Sequence, residues 1–285
     1  MTPPREGKPS SSHEAKPESR PPKSQANSIT QTDSLDAHDD IVIRHCRSIE
    51  QFEDCIQVER QVWKSQDIDV VPTPLFVVAA ETGGQVLGAY HQGKLVGFTL
   101  AIAGWRDRKP LLHSHMTAVL DEYRNHGVGR RLKLFQRDDA IARGIHLVEW
   151  TFDPFIAKNA YFNLMRLGAI VRRFLPNAYG ITTSPLNGRL PTDRLIAEWH
   201  LLSDRVLSVL AGSPPSTRIP GKSARIAIPS NFEEMCVADR ACAIRWQSDI
   251  RSKFGKWLAL GYTATAVKPT KIGMEYILDP PEIPL

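Results

Sequence analysis

The sequence predicts a mixed α/β (α+β) fold in which helices flank a sheet with both antiparallel and parallel strands. Two observations support this prediction. The apolar runs 85–91 and 94–105 are joined by Gln92-Gly93, a connection typical of a β-hairpin, which makes these two strands antiparallel. The runs 111–119 and 145–151 are separated by a helical pattern that reaches about residue 143 and ends at Gly144. A strand, a helix and a second strand in this order predict a parallel crossover.

The other elements follow from their local patterns. Residues 41–45 form a short apolar strand, and Ser48 is positioned to cap a helix of about 15 residues. Pro74 opens a short helix or extended run that reaches residue 80. Further along, a helix over 157–167 is closed by Gly168, and strands are expected at 169–175 and 195–201, with a helix at 203–211.

Composition divides the chain into three predicted regions. Residues 1–40 have no aromatic residue and are rich in Pro, Ser, Lys, Glu and Gln, which predicts a disordered tail. Residues 41–211 contain the predicted core. Residues 212–285 read as a linker and a C-terminal β-α-β extension, with strands at 225–229 and 262–267 and one long helix at 231–260. The pattern leaves open whether this extension continues the sheet or forms a small subdomain.

The overall composition excludes several classes of protein. The chain of 285 residues is 42% hydrophobic, enough for one large domain or two small ones. No apolar stretch approaches the roughly 20 residues of a membrane span, and the N-terminus has no apolar signal region, so we expect a cytoplasmic protein with no membrane contact. Its four cysteines show neither C-x-x-C pairing nor metal-ligand spacing, which predicts reduced thiols and no metal. The net charge of +5 suits a polyanionic ligand, but it also fits weak nucleic-acid affinity or no special partner.

The most informative stretch is Tyr123-Arg124-Asn125-His126-Gly127-Val128-Gly129-Arg130-Arg131-Leu132, which joins the strand 111–119 to the following helix. A turn of this kind leaves backbone N–H groups unpaired in front of a helix dipole, and glycines let a phosphate approach them. Arg130, Arg131 and Lys133 lie near the start of the helix, where the dipole disfavours cations unless an anion is bound. The alternative is a tight strand-to-helix turn with a solvated basic face. No Gly-Lys-Ser/Thr follows, so the loop is not a typical P-loop.

The loop resembles the acyl-CoA pyrophosphate loop of the GNAT acetyltransferase superfamily, Arg/Gln-x-x-Gly-x-Gly/Ala, at Arg124, Gly127 and Gly129. The resemblance covers roughly residues 41–202 and includes the order of elements. It implies a GNAT-type mixed, mostly antiparallel sheet whose central parallel pair, 111–119 and 145–151, splays apart around acetyl-CoA. It also implies a set of cofactor-binding residues, in which backbone amides of the strand hold the pantetheine arm and the acyl carbonyl: Ala118, Val119, Arg124, Asn125, His126, Gly127, Val128, Gly129, Arg130 and Asn159. Asn159 has an alternative role as a helix-start residue.

The same resemblance implies a proton donor and a proton acceptor. The family often has a tyrosine four residues before the glycine that ends the helix, but Leu164 occupies this position. Tyr161, one helical turn earlier, is the candidate substitute, with a packing role as the alternative. His113 and His115 share one face of their strand, and Glu149 and Asp153 lie near the end of the neighbouring strand. Each of these residues has a plain structural role as its alternative. His115 and Glu149 are the preferred candidates for the base.

The resulting hypothesis is an N-acetyltransferase that moves an acetyl or similar acyl group from acyl-CoA to a small-molecule or peptide amine by direct attack. The turns at 150–154 and 175–180 are expected to shape the acceptor pocket, and the loop 176–192 to cover it. The first alternative is a non-catalytic acyl-CoA-binding or sensing protein, favoured by the missing tyrosine. The second is a nucleic-acid binder, which is disfavoured because no aromatic residues are interleaved with the basic ones between 124 and 134. A homodimer is compatible with the sequence.

Overall fold

A computed structural model describes residues 40–64, 67–181, 190–215 and 222–281, all within one compact unit that spans 37–285. The predicted tail at 1–40, except for its last residue, and residues 182–189 of the predicted lid lie outside the described residues. The strands are β1 (Val42–His45), β2 (Gln85–His91), β3 (Lys94–Arg106), β4 (Lys109–Val119), β5 (Leu147–Phe152), β6 (Ile170–Leu175), β7 (Arg194–His200), β8 (Ala224–Pro229), β9 (Thr263–Thr270) and β10 (Gly273–Asp279). The helices are α1 (Ile49–Trp63), α2 (Thr73–Glu81), α3 (Val128–Ala142), α4 (Ala157–Tyr161), α5 (Asp204–Leu210), α6 (Phe232–Ala238) and α7 (Arg240–Ala259).

All ten strands form a single sheet in the order β1-β2-β3-β4-β5-β7-β6-β9-β10-β8. Every neighbouring pair is antiparallel except β4 and β5, which are parallel. The predicted hairpin β2–β3 and the predicted parallel crossover from β4 through α3 to β5 are therefore both confirmed. This is the mixed, mostly antiparallel sheet with one central parallel pair that the sequence predicted.

Helices cover both faces of the sheet because neighbouring residues of a strand point in opposite directions. Phe52 of α1 and Phe76 of α2 pack with Phe98 of β3, with ring centroids about 6 Å apart. Val128 and Leu132 of α3 belong to a separate buried cluster that includes residues of β2 and β3. The start of α3 is thus anchored by apolar contacts directly after the glycine loop.

The C-terminal extension continues the main sheet, which answers the question that the sequence left open. Val171 of β6 pairs with Ala264 of β9, and Phe254 of α7 stacks on Phe174 of β6 with ring centroids 5.9 Å apart. Two details differ from the prediction. The long helix is divided at Asp239, whose side chain caps α7 by accepting from the N–H of Cys242 at 2.9 Å. A further strand, β10, was missed although Met274, Tyr276 and Leu278 alternate as buried residues.

Candidate active site

A crevice opens in the middle of the sheet, between the parallel strands β4 and β5. Their ladder contains only the pairs Leu112↔Val148 and His113↔Glu149. Beyond His113, β4 continues as far as Val119 in contact with β3, while β5 continues to Phe152 in contact with β7. The two strands therefore part at the carboxyl side of their last pair, where ligands of such sheets bind.

A β-bulge in β4 lies at the edge of this crevice. Leu100 of β3 pairs with Met116 and Ala101 pairs with Ser114, so His115 is the extra residue between them. A bulge redirects a side chain and is common beside active sites. The rings of His113 and His115 are 6.1 Å apart, which confirms the prediction that they share a face. Burial lowers the pKa of each histidine, and for His113 the neighbouring His115 lowers it further.

The main chain of β4 offers hydrogen-bonding groups to the crevice in an alternating pattern. The N–H of Leu120 donates to the Val96 carbonyl at 3.0 Å, so every second residue of this ladder bonds to β3. By this alternation the amide of Ala118 faces β3, and those of Thr117 and Val119 face the crevice. The sequence-based choice of Ala118 as an amide donor to the crevice is therefore corrected: the amides that face the crevice are those of Val119, which the sequence analysis named, and Thr117, which it missed.

The glycine loop is positioned at the mouth of the crevice with accessible backbone. Gly127 caps α3 with φ +77, and no atom lies within 4 Å of the position that a β-carbon would occupy. At Gly129 the nearest atom to such a β-carbon is Val119 Cγ2 at 3.9 Å. The helix's own bonds begin where Arg131 N–H donates to the Gly127 carbonyl at 2.9 Å. The preceding amides of α3, including that of Val128, are left without intrahelical acceptors.

Some of the side chains around this loop form hydrogen bonds or ion pairs within the protein. Arg124 pairs with Asp121 at 2.7 Å and donates to the Val119 carbonyl at 3.1 Å. Asn125, at φ +67, accepts from Lys158 of α4 at 3.0 Å, and His126 is exposed. Arg130 has a buried Nε with no hydrogen-bond partner among the described residues. Free helix amides beside an unpaired guanidinium nitrogen fit a polyanion such as the diphosphate of CoA.

Residues 49–163 match a family model described as the acetyltransferase (GNAT) family. The matched region includes the strands β2 to β5 and the glycine loop. No curated protein matches the chain significantly.

Several solved structures with similar folds are described as acetyltransferases. The ribosomal-protein-S18-alanine N-acetyltransferase of Escherichia coli is 16% identical, with a TM-score of 0.44, covering 64% of this chain and 97% of that one. Ard1 from Thermoplasma volcanium is 16% identical, with a TM-score of 0.45 and coverages of 57% and 99%. An N-acetyltransferase from Staphylococcus aureus is 13% identical, with a TM-score of 0.46 and coverages of 56% and 98%. Likenesses at this level carry no information about the acceptor.

Glu149 is a buried counter-ion. Its carboxylate accepts from Arg106 at 2.8 Å and also from Arg173 of β6. Arg173 bonds in turn to Glu198, the cross-strand neighbour of Glu149, whose pKa is about 2 because Arg172, Arg173 and His200 outweigh its burial. A carboxylate held by two guanidinium groups is a poor proton acceptor. The preference for Glu149 as the base is therefore corrected, since the sequence did not reveal which arginines face it.

We expect Glu149→Gln to destabilise the fold by about 1–3 kcal/mol, because Arg106 and Arg173 would lose a charged partner at a buried site. The matched control is Glu275→Gln, which breaks a single pair with the exposed Arg225 at 2.9 Å and should cost less than about 1 kcal/mol. Urea denaturation of both variants measures the difference. Equal costs would contradict the structural role of Glu149.

The predicted α4 helix changes type part-way, which alters the position of the candidate acid. A π-helical turn covers Phe162–Arg166 directly after α4. Tyr161 is 50% exposed, whereas Leu164 is fully buried. The helical spacing of these two residues predicts a shared face, and the π-helical turn places them on different faces instead. Asn159 is exposed inside α4, and Ile156 is the N-cap, so Asn159 does not cap the helix.

The position of Lys133 differs from the one that the sequence predicted. Its position near the start of α3 indicated a cation for an anion site, yet the side chain is buried against the sheet. Its Nζ donates to Ser114 Oγ at 3.1 Å and to Gln136 Oε1 at 2.5 Å, and lies 4.0 Å from the centroid of Trp150. Burial lowers its pKa to about 7. Helical spacing with the buried Gln136 and Ala140 was the available signal.

A pocket of about 240 Å³ lies beside the carboxyl end of β5. It is bounded by the turn after β5, the residues before β7, and α6 and α7 of the extension; its lining includes Asp153, Phe155, Lys158, Leu190, Asp193, Phe232, Glu233 and Gln247. Lys158 links the pocket to the glycine loop through its bond to Asn125. Asp153 accepts from Phe155 N–H at 2.8 Å, and burial raises its pKa. The predicted lid overlaps the pocket only at 190–192, since residues 182–189 lie outside the described ranges.

Among the described residues, no helix is long and apolar enough to cross a bilayer. Within the same residues, His, Cys, Asp and Glu side chains form no group of three or more that would hold a metal ion.

Proposed function

We propose that this protein is an N-acetyltransferase that moves an acetyl or similar acyl group from acyl-CoA to an amine by direct attack. One observation carries the proposal: a glycine turn with free helix amides stands at the mouth of a crevice between two parallel strands that part after two pairs. The turn supplies an anion site, and the crevice accommodates an extended chain between the strands.

The residues that would hold acetyl-CoA follow from this arrangement. The amides of Val128, Gly129 and Arg130, with the Arg130 side chain, would bind the diphosphate. The amides of Thr117 and Val119 would bind the pantetheine arm, and an N–H near the acyl carbonyl would stabilise the developing oxyanion. When bound, acetyl-CoA supplies an activated thioester. Asn159 and Tyr161, both exposed on α4, stay candidate contacts.

His115 is the proposed base that accepts the proton of the attacking amine. It is the bulged residue of β4, two positions beyond the end of the parallel ladder, so its side chain lies beside the open part of the crevice. Burial keeps its pKa below the ordinary value of 6.5, so the imidazole is neutral and able to accept a proton near pH 7. His113 lies at the last strand pair and touches a more crowded region near Glu149.

The acceptor is proposed to be a small-molecule or peptide amine that reaches the crevice through the pocket at the end of β5. The pocket combines aromatic walls, from the stacked rings of Phe155 and Phe232, with the carboxylate of Asp153. An apolar body carrying a primary amine suits this lining.

We expect His115→Gln to lower kcat/KM for acetyl transfer by about 100-fold, because the loss of a general base typically costs this much. His113→Gln is the matched control and should lose less than about 10-fold. In the wild type the acid limb of the kcat/KM profile should lie below pH 6.5, the ordinary histidine value, since both imidazole pKa values are lowered. Equal losses of kcat/KM in both variants would contradict the role of His115 as the base.

Leu164 in the position of the family's tyrosine favours a second candidate, a protein that binds acyl-CoA without transferring the acyl group. Thioester turnover measured with a panel of primary amines separates the two. Turnover that depends on both acetyl-CoA and an amine supports the enzyme. Tight binding of acetyl-CoA with no turnover above the uncatalysed rate, across amines of every size, would identify the binding protein.

A further inference from the structure

The side chain of Lys133 lies at the point where β4 and β5 separate, which is the apex of the crevice. Ser114 and Trp150 are the first residues of β4 and β5 beyond their last pair, and both contact Lys133. Trp199 of β7 completes the surroundings, with its ring centroid 5.6 Å from Nζ. A single amine thus touches both strands at the point where they separate.

This amine is fully buried, and the side chains that contact it are neutral. The side chains of Ser114, Gln136, Trp150 and Trp199 face it. The carboxylates of Glu149 and Glu198 lie at the adjacent positions of β5 and β7 and form ion pairs with arginines. Burial lowers the pKa of Lys133 to about 7, and Lys133 in turn lowers the pKa of the nearby His113. The amine therefore gives up its proton more readily than an exposed lysine does, and an anion formed nearby would favour the protonated form.

The position of the family's tyrosine provides no proton donor in this chain. The position at which related enzymes often carry a tyrosine holds Leu164, which is fully buried and has no proton to give. Tyr161 is half exposed on the other side of the π-helical turn. Among the groups at the apex, Lys133 is the one with a transferable proton and a pKa near neutrality.

We propose that Lys133, oriented by Ser114, is the general acid that protonates the departing thiolate of CoA. This inference rests on the proposed transfer reaction. As the amine nitrogen bonds to the acyl carbon, the carbon–sulfur bond breaks and its electron pair moves to sulfur. Lys133 Nζ–H gives a proton to that sulfur, while His115 takes the proton released by the amine nitrogen. The products are the amide and the free thiol of CoA, and solvent exchange restores both side chains.

The first test does not depend on activity. The thiol pKa of CoA bound to the full chain is measured from the ultraviolet absorbance of the thiolate, in the wild type and in Lys133→Met. We expect the pKa of the bound thiol to lie at least about one unit below that of free CoA, measured in the same way, in the wild type, and to return towards the value of free CoA in the variant. Lys94→Met, at an exposed hairpin position, is the control and should match the wild type. An unchanged thiol pKa in Lys133→Met, with CoA still bound, overturns the proposal.

The second test uses the transfer reaction. We expect Lys133→Met to lower kcat by about 100-fold with little change in the KM for acetyl-CoA, and to remove the alkaline limb of the kcat profile that begins near pH 7. Ser114→Ala, which keeps the amine but removes its partner, should lower kcat by about 10-fold and keep that limb. A wild-type kcat profile that Lys133→Met leaves unchanged overturns the role of Lys133 alone. A wild type that neither binds acetyl-CoA nor transfers its acyl group overturns the proposed function instead.

Discussion

Gly127→Leu is expected to weaken acetyl-CoA binding by at least about 100-fold, or roughly 2.7 kcal/mol. The free position beside Gly127 is where the substitution would place a side chain, directly in front of the amides of α3. A diphosphate could then no longer approach the helix terminus. Calorimetric titration of the wild type and the variant with acetyl-CoA measures the loss.

Gly144→Leu is the matched control for this experiment. Gly144 follows the other end of α3 with φ +71 and, like Gly127 with φ +77, has open space where its β-carbon would be. Both substitutions therefore carry a similar backbone cost of roughly 1–2 kcal/mol in stability. Only Gly127 belongs to the loop, so Gly144→Leu should bind acetyl-CoA as the wild type does. Similar affinities in the two variants would show that the glycine loop does not hold the diphosphate.

Lys133→Met is expected to stabilise the protein at pH 7, and the gain should shrink as the pH rises. The folded pKa of Lys133 is about 7, below its ordinary value of 10.5. Between these values the unfolded chain holds a proton that the folded chain lacks, so the stability cost of Lys133 is full below about pH 7, shrinks as the pH rises and is lost above pH 10.5. One charged group contributes at most about 1.4 kcal/mol per pH unit.

Urea denaturation at pH 7 and pH 9 measures this effect. The stability difference between Lys133→Met and the wild type should fall by roughly 2–3 kcal/mol between the two pH values. The exposed Lys94 provides the comparison, since Lys94→Met should give the same difference at both pH values. A difference for Lys133→Met that does not change with pH would mean that its amine stays charged in the folded protein.

The sequence was sufficient for the parts of the fold that local patterns determine. Hairpin chemistry at Gln92-Gly93 predicted the antiparallel pair, and the strand–helix–strand order around α3 predicted the parallel one. The glycine spacing in the loop 124–129 predicted the open turn in front of α3, because backbone conformation there depends on the residue itself, while the anion site stays a prediction. These features depend on neighbours in the chain.

The remaining features depend on pairing between distant residues. Glu149 was attractive as a base until its contacts with Arg106 and Arg173 were known, and these come from other strands. The bulge at His115 and the amide directions of Thr117 and Val119 depend on the register with β3. A sequence pattern does not specify a register to one residue, and a one-residue change reverses every side chain.

The most direct measurement of the central claim compares two thioesters that differ in the diphosphate. The full chain is titrated by calorimetry with acetyl-CoA and with S-acetylpantetheine, which lacks the diphosphate and nucleotide. If the amides at the start of α3 hold the diphosphate, acetyl-CoA binds and S-acetylpantetheine binds at least about 100-fold more weakly. Equal affinity for the two thioesters, or no binding of acetyl-CoA, would contradict the account.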